Sequence, residues 1–307
     1  VTKAPAAGHG WPRLAADAEY ILPLRWTEDS GLAELTDYLR HLAGWIPVTV
    51  VDGSDSALFD RHRAAFPAVV RHIRPDSPPG HGTAAFDGQS PAEAVNGKVA
   101  GVMAGVRTAG APFLVIADDD VRYTREALAA VVHHLGTADV VRPQNYFTPL
   151  PWHARWDTAR TLLNRAWSAD YPGTLGVRRD ALLATGGYAG VLFENLELIR
   201  TITAAGGSER TLPDLFVARR PPTARHFLGQ RLRQAYDDFA QPRRLAAELA
   251  LLPAAAAALF LPGKARQTAL GGLAAAAIAC AEIGRRRHKR DRRVSRLGSM
   301  VRSALGS

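Results

Sequence analysis

Three consecutive acids, Asp118, Asp119 and Asp120, follow directly on the apolar run Phe113-Leu114-Val115-Ile116-Ala117. A short run rich in β-branched and large apolar residues reads as a buried strand, so the acids stand at a strand's carboxyl end. In extended backbone, positions 118 and 120 share a face. Two carboxylates presented together can hold Mg2+ or Mn2+, hard cations that prefer oxygen ligands and bridge phosphate oxygens. A metal placed there neutralises a departing diphosphate. The plainer reading of the same residues is an acidic turn at the start of the next helix, where negative charge is favoured.

The elements that must carry these acids are visible as apolar runs bounded by polar turns at 19–24, 47–51, 69–73 and 113–117. Helical patterns separate them at 32–43, 57–65 and 91–108. Strand and helix alternate as in a doubly wound, mainly parallel α/β sheet flanked by helices. Ligands bind beyond the carboxyl ends of such strands, which points to the segments after Leu24, Val51 and Ala117. From Val141 the pattern is less regular and carries Tyr146, Phe147, Trp152, Trp156, Trp167 and Tyr171, suiting an acceptor-binding region or a hydrophobic subcore.

Taken in order, these motifs resemble the family 2 glycosyltransferases with the GT-A fold, a Rossmann-like architecture. Asp118-Asp119-Asp120 matches the family's acidic Asp-X-Asp motif, Ile21-Leu22-Pro23 its opening strand, and Val50-Val51-Asp52-Gly53-Ser54 its second strand. Asn96-Gly97-Lys98 resembles its Gly-Lys segment, and the run 173–182 followed by Gly186-Gly187-Tyr188 its acceptor-side segment. The likeness covers about Tyr20 to Phe239. It implies inverting transfer from a nucleotide-sugar donor to the hydroxyl of a glycan or lipid-linked acceptor. By the same likeness Pro23, Asp52, Lys98, Asp118 and Asp119 contact the donor, and Asp118 and Asp120 hold the metal. His226 is a candidate third ligand.

The run Phe193-Glu194-Asn195-Leu196-Glu197-Leu198 lines up with the helix start that supplies the family's catalytic base, but Asn195 stands where the family has Asp. Asparagine does not take a proton at useful pH, so either the adjacent Glu194 deprotonates the acceptor or the chain is not a conventional catalyst. Gln230-Arg231-Leu232-Arg233-Gln234 resembles the family's Gln-X-X-Arg-Trp motif with Gln234 in place of Trp. Gln230 and Arg233 keep its hydrogen-bonding and cationic parts, suited to an acceptor or a diphosphate. Two rivals remain at this level: a degenerate nucleotide-sugar or glycan-binding scaffold, and a nucleotidyltransferase. The latter commonly has a Gly-rich basic loop after its first strand, which Leu24-Arg25-Trp26-Thr27 does not resemble.

At 307 residues and 47% apolar composition the chain has material for a large core. Of the formal net charge of +9, about +8 lies in 285–307 alone, nine Lys/Arg against Asp291. A nearly neutral remainder argues against a nucleic-acid partner. The lone Cys280 cannot form an internal disulfide, and 1–18 lacks the apolar core of a secretory signal, so a cytoplasmic setting is expected. Two Ala- and Leu-rich stretches, 245–261 and 268–283, followed by Arg285-Arg286-Arg287-His288-Lys289-Arg290, fit a helical hairpin against either protein or an anionic inner membrane face. The expected division is a lead at 1–18, a transferase domain at 19–241, an apolar helical segment at 242–284 and a basic tail at 285–307.

Overall fold

The computed structural model describes residues 14–75, 91–167, 173–190, 194–229 and 242–286. Gln230 and Arg233, the 1–13 lead and the tail beyond Arg286 lie outside the described residues. The chain divides into two compact units. The larger takes residues 2–146 and 171–220, the smaller 147–170 and 221–307 together with residue 1.

The larger unit begins α1 (Leu14–Asp17), β1 (Ala18–Leu24), α2 (Leu32–Ala43), β2 (Val48–Asp52), α3 (Ser56–Ala65), β3 (Arg71–Ile73), α4 (Pro91–Thr108) and β4 (Phe113–Ala117). It continues β5 (Val121–Arg122), α5 (Arg125–Leu135) and β6 (Val140–Phe147), whose last residue falls in the smaller unit. After α6 (Trp152–Trp167), which belongs to the smaller unit, come β7 (Thr174–Arg178), α7 (Arg179–Ala184), α8 (Glu194–Ala204) and β8 (Glu209–Arg219).

Eight strands form one sheet in the order β3-β2-β1-β4-β7-β6-β8-β5. The first four are parallel, with Tyr20 opposite Val48 and Val115, and Val50 opposite His72. Beyond β4 the direction reverses: β7 runs antiparallel to both β4 and β6, and β5 pairs antiparallel with β8. The sheet is therefore mixed, parallel in the half the apolar runs announce and antiparallel in the other.

Strands buried on both faces explain those continuous runs. Tyr20, Leu22, Val50 and Val115 pack with Leu35 and Leu39 of α2 and Leu128 and Val132 of α5. Their neighbours Ile21, Val51, Leu114 and Ile116 pack on the other face with Val102 and Val106 of α4 and Leu198 and Ile202 of α8. The helices approach closely. A Cβ on Gly105 would lie 2.5 Å from Ile21 Cγ2, and one on Gly176 2.5 Å from Val131 Cγ1.

In the smaller unit, α6 is followed by helical residues 224–229, α9 (Pro242–Leu259) and α10 (Gly263–Arg286). The last two extend the apolar stretches expected to form a hairpin. α10 packs on α6 so tightly that a Cβ on Gly284 would stand 2.0 Å from the Leu162 carbonyl oxygen. Trp152 and Trp156 are exposed on α6, so they do not form a subcore.

Candidate active site

Hydrogen bonds tie the carboxyl end of β1 to that of β2, and the residues after β4 to those flanking β7 and β8. Gly53 N donates to the Leu24 carbonyl at 2.9 Å, and Trp26 N to Ser54 Oγ at 2.9 Å. Asp118 N donates to the Gly173 carbonyl at 2.8 Å, and Arg220 N to the Asp120 carbonyl at 2.8 Å. Asn145 is the brace behind them, its Oδ1 accepting from Gly173 N at 2.7 Å and its Nδ2 donating to the Val217 carbonyl at 3.1 Å. The acids do not cap the next helix: Thr124 is the N-cap of α5, its side chain accepting from Ala127 N. That leaves the three carboxylates for other work.

Asp118 and Asp120 share Arg219, whereas Asp119 has a partner of its own. Asp118 Oδ1 lies 2.8 Å from Lys98 Nζ, and its Oδ2 lies 3.4 Å from an Arg219 guanidinium nitrogen. Asp120 Oδ2 accepts from Arg219 Nε at 2.6 Å, while its Oδ1 is buried without a hydrogen-bond partner. Asp119 turns aside and accepts the indole N–H of Trp26. Lys98 also pairs with Glu194, which opens α8. All five of Lys98, Asp118, Asp120, Glu194 and Arg219 remain partly exposed, so a ligand can reach them.

The charges set one another's protonation. Burial disfavours the charged form of Lys98, but Asp118 and Glu194 outweigh it and hold the ammonium well above its ordinary pKa. Arg219 is likewise raised against burial by Asp120 and Asp118. Asp118 is lowered, burial being overcome by Lys98 and Arg219. Asp120 goes the other way, to about 6, because burial and the repulsion of Asp118 and Asp119 outweigh Arg219.

The structure thus brings together Lys98, Asp118, Asp119, Asp120 and Glu194, with Asn195 partly buried beside Glu194. It adds Arg219 and Trp26, which the sequence reading does not single out. Pro23 lies within β1 opposite Val51. Asp52 departs from the donor-contacting role the resemblance implies. Its side chain is fully buried, and Oδ2 receives His62 Nδ1 at 2.7 Å and His72 Nε2 at 3.0 Å while Oδ1 accepts Ser54 N at 2.9 Å. The carboxylate is spent on tying β2 to α3 and β3. His226 is exposed in the smaller unit, and among the described residues no group of three or more His, Cys, Asp or Glu side chains is placed to hold a metal.

No protein-family model matches the chain, and no curated protein matches it. Among solved structures it is similar to a mannosyltransferase from Pyrobaculum calidifontis in complex with GDP-mannose and Mn2+, at 18% identity and a TM-score of 0.49, over 98% of this chain and 85% of that one. It is also similar to glucosyl-3-phosphoglycerate synthase from Mycobacterium tuberculosis in complex with Mn2+, UDP and glucosyl-3-phosphoglycerate, at 17% identity and a TM-score of 0.45, over 70% and 75% of the two chains. A third similar structure is S. aureus TarS, residues 1–349, at 14% identity and a TM-score of 0.43, over 89% and 71%.

Proposed function

We propose that the chain transfers a sugar, with inversion, from a nucleotide-sugar donor to an acceptor hydroxyl, assisted by a divalent cation. The observation that carries this reading is the convergence of Asp118, Asp120, Lys98, Arg219 and Glu194 at the carboxyl ends of the central strands. Four carboxylates, counting Asp119, meet two cations there, which leaves two negative charges, the complement of one Mg2+ or Mn2+.

The donor set fits such an ion. Asp118 and Asp120 offer hard oxygens, and Asp120 Oδ1 is unspent. Two carboxylates, with no group of three ligands among the described residues, match Mg2+-type binding, in which substrate phosphates would complete the shell. When bound, the cation offsets charge on the leaving diphosphate. Lys98 and Arg219 bring N–H donors to the same place, and a guanidinium suits phosphate oxygens through its planar fork. Glu194 accepts the acceptor's proton, since Asn195 cannot. One displacement with a base opposite the leaving group and no enzyme nucleophile inverts the anomeric centre.

The setting we infer is the inner face of a cell membrane, with a lipid-linked or envelope glycan as acceptor. Among the described residues, α10 alone is long and apolar enough to cross a membrane. Leu249, Leu251, Leu252, Leu259, Phe260 and Leu261 stand exposed beside it, and the basic run 285–290 follows. Exposed apolar surface next to cationic residues suits an anionic bilayer.

The test is donor turnover by purified protein over a panel of UDP-, GDP- and TDP-sugars, with Mn2+, Mg2+ or chelator. Metal-dependent turnover that is lost in Asp120→Ala supports transfer. Donor binding without turnover for any acceptor supports the scaffold instead. Cosedimentation with anionic but not zwitterionic vesicles tests the membrane setting.

A further inference from the structure

The two carboxylates expected to hold the cation are already bridged by a cation of the protein's own. Arg219 is the last residue of β8, and the β5–β8 pairing sets it opposite Val121, one residue past Asp120. From there Nε reaches Asp120 Oδ2 at 2.6 Å and a terminal nitrogen reaches Asp118 Oδ2 at 3.4 Å. The chain makes room for this bridge at Gly173, where a Cβ would lie 2.7 Å from Asp118 Oδ2 and 3.1 Å from Arg219 Cζ. Lys98 is placed differently: it pairs with Asp118 and Glu194 and has no bond to Asp120.

We propose that Arg219 is the resident counter-ion of Asp118 and Asp120, that it competes with the divalent cation for them, and that the diphosphate of the arriving nucleotide relieves the competition by taking the guanidinium. The last clause rests on the transferase reading; the competition does not. An arginine side chain does not deprotonate in a protein, so its charge leaves the carboxylates only if the side chain moves. Phosphate oxygens accept the same planar fork as carboxylates, so the diphosphate gives Arg219 an equivalent partner. Metal and nucleotide then strengthen each other's binding by the same factor, as linkage requires. The consequence is a site that discriminates against free metal and favours the metal–nucleotide complex. Arg219 acts here as a positioning residue for the metal ligands.

The experiment is a titration of Mn2+, followed by electron paramagnetic resonance of the free ion, with wild type, Arg219→Gln and Arg219→Lys, each alone and with UDP or GDP. Thermal melts of the metal-free proteins accompany it. Arg219→Gln is expected to bind Mn2+ alone roughly tenfold or more tightly than wild type, because a like charge has left the site. The nucleotide's enhancement of Mn2+ binding is expected to be about tenfold smaller in Arg219→Gln than in wild type, what remains coming from direct contact of phosphate and metal, and to be intermediate in Arg219→Lys. Metal-free Arg219→Gln is expected to melt lower and to gain more from added Mn2+.

Unchanged or weaker Mn2+ binding by Arg219→Gln overturns the inference while leaving the transferase reading to its turnover assay. If that variant does not fold, wild type decides: absence of mutual enhancement between Mn2+ and nucleoside diphosphate overturns it. If no protein binds Mn2+ under any condition, the inference falls together with metal assistance. Sugar transfer in chelator then separates that outcome from failure of the transferase reading.

Discussion

Asp52→Ala separates a structural carboxylate from a ligand-binding one. In the wild type this fully buried side chain accepts three bonds, from His62 at 2.7 Å, His72 at 3.0 Å and Ser54 N at 2.9 Å. The histidines are packed in place, His72 stacked on Phe59 at 4.2 Å and His62 near Phe66 at 5.6 Å, so they cannot turn to water without unpacking. A buried donor left without an acceptor costs about 1–3 kcal/mol. A change of tautomer brings no relief, because His62 Nε2 and His72 Nδ1 are also buried without partners, so three orphaned donors together cost at least about 4 kcal/mol. With a urea m-value of about 2 kcal/mol/M, the midpoint drops by about 2 M.

The pH dependence has a definite sign. Burial raises the pKa of Asp52, but the bonds from His72, Ser54 and His62 overcome it and hold the carboxyl below its ordinary value. A depressed folded pKa stabilises the fold above the unfolded value, about 3.9, and that stability is lost as pH falls below it. The stability gap between wild type and Asp52→Ala is therefore flat above about pH 5 and closes as pH falls below about 4. Urea melts at several pH values, with nucleoside-diphosphate binding measured on the folded fraction, decide the matter. A variant as stable as wild type that binds nucleotide ten times more weakly rules out the structural role and returns Asp52 to the donor.

Three further outcomes follow from single contacts. Glu194→Gln removes the proton acceptor but keeps the shape of the α8 start, so kcat for transfer falls about 10²- to 10⁴-fold while Mn2+ still binds, more weakly by the one charge removed; unchanged kcat excludes Glu194 as the base. Gly176→Ala sets a methyl 2.5 Å from Val131 Cγ1 and destabilises the larger unit by about 1–3 kcal/mol, read as a lower urea midpoint. Gly284→Ala meets the Leu162 carbonyl, which cannot rotate away, so α10 must shift off α6 despite the better helix propensity of alanine. Faster limited proteolysis between 260 and 267 reports this, and an unchanged cleavage rate refutes it.

Much of the larger unit is legible in the sequence for one physical reason. Strands buried on both faces must be apolar throughout, so β1, β2 and β4 stand out as runs, and the helices between them follow from their own period. The antiparallel half does not announce itself. β8, Glu-Arg-Thr-Leu-Pro-Asp-Leu-Phe-Val-Ala-Arg, is half exposed and carries a proline and four charged residues, so neither continuity nor alternation marks it. β7 contains Thr174-Leu175-Gly176-Val177-Arg178, where the glycine needed beneath Val131 breaks the pattern of a strand.

The same division runs through the site. Three adjacent carboxylates at a strand end repel one another, so the sequence already demands cations from elsewhere in the fold. It does not say which, because 38 lysines and arginines are available and the choice is made by strand pairing. Lys98 is recoverable from its motif. Arg219 is not, since only the register of β8 on β5 brings it to Asp118 and Asp120 from about a hundred residues away. Asp52 shows the converse. A motif position carries over in sequence, but two histidines, ten and twenty residues further on, take the carboxylate into the interior, and a motif fixes chemistry only where its neighbours leave the side chain free to act.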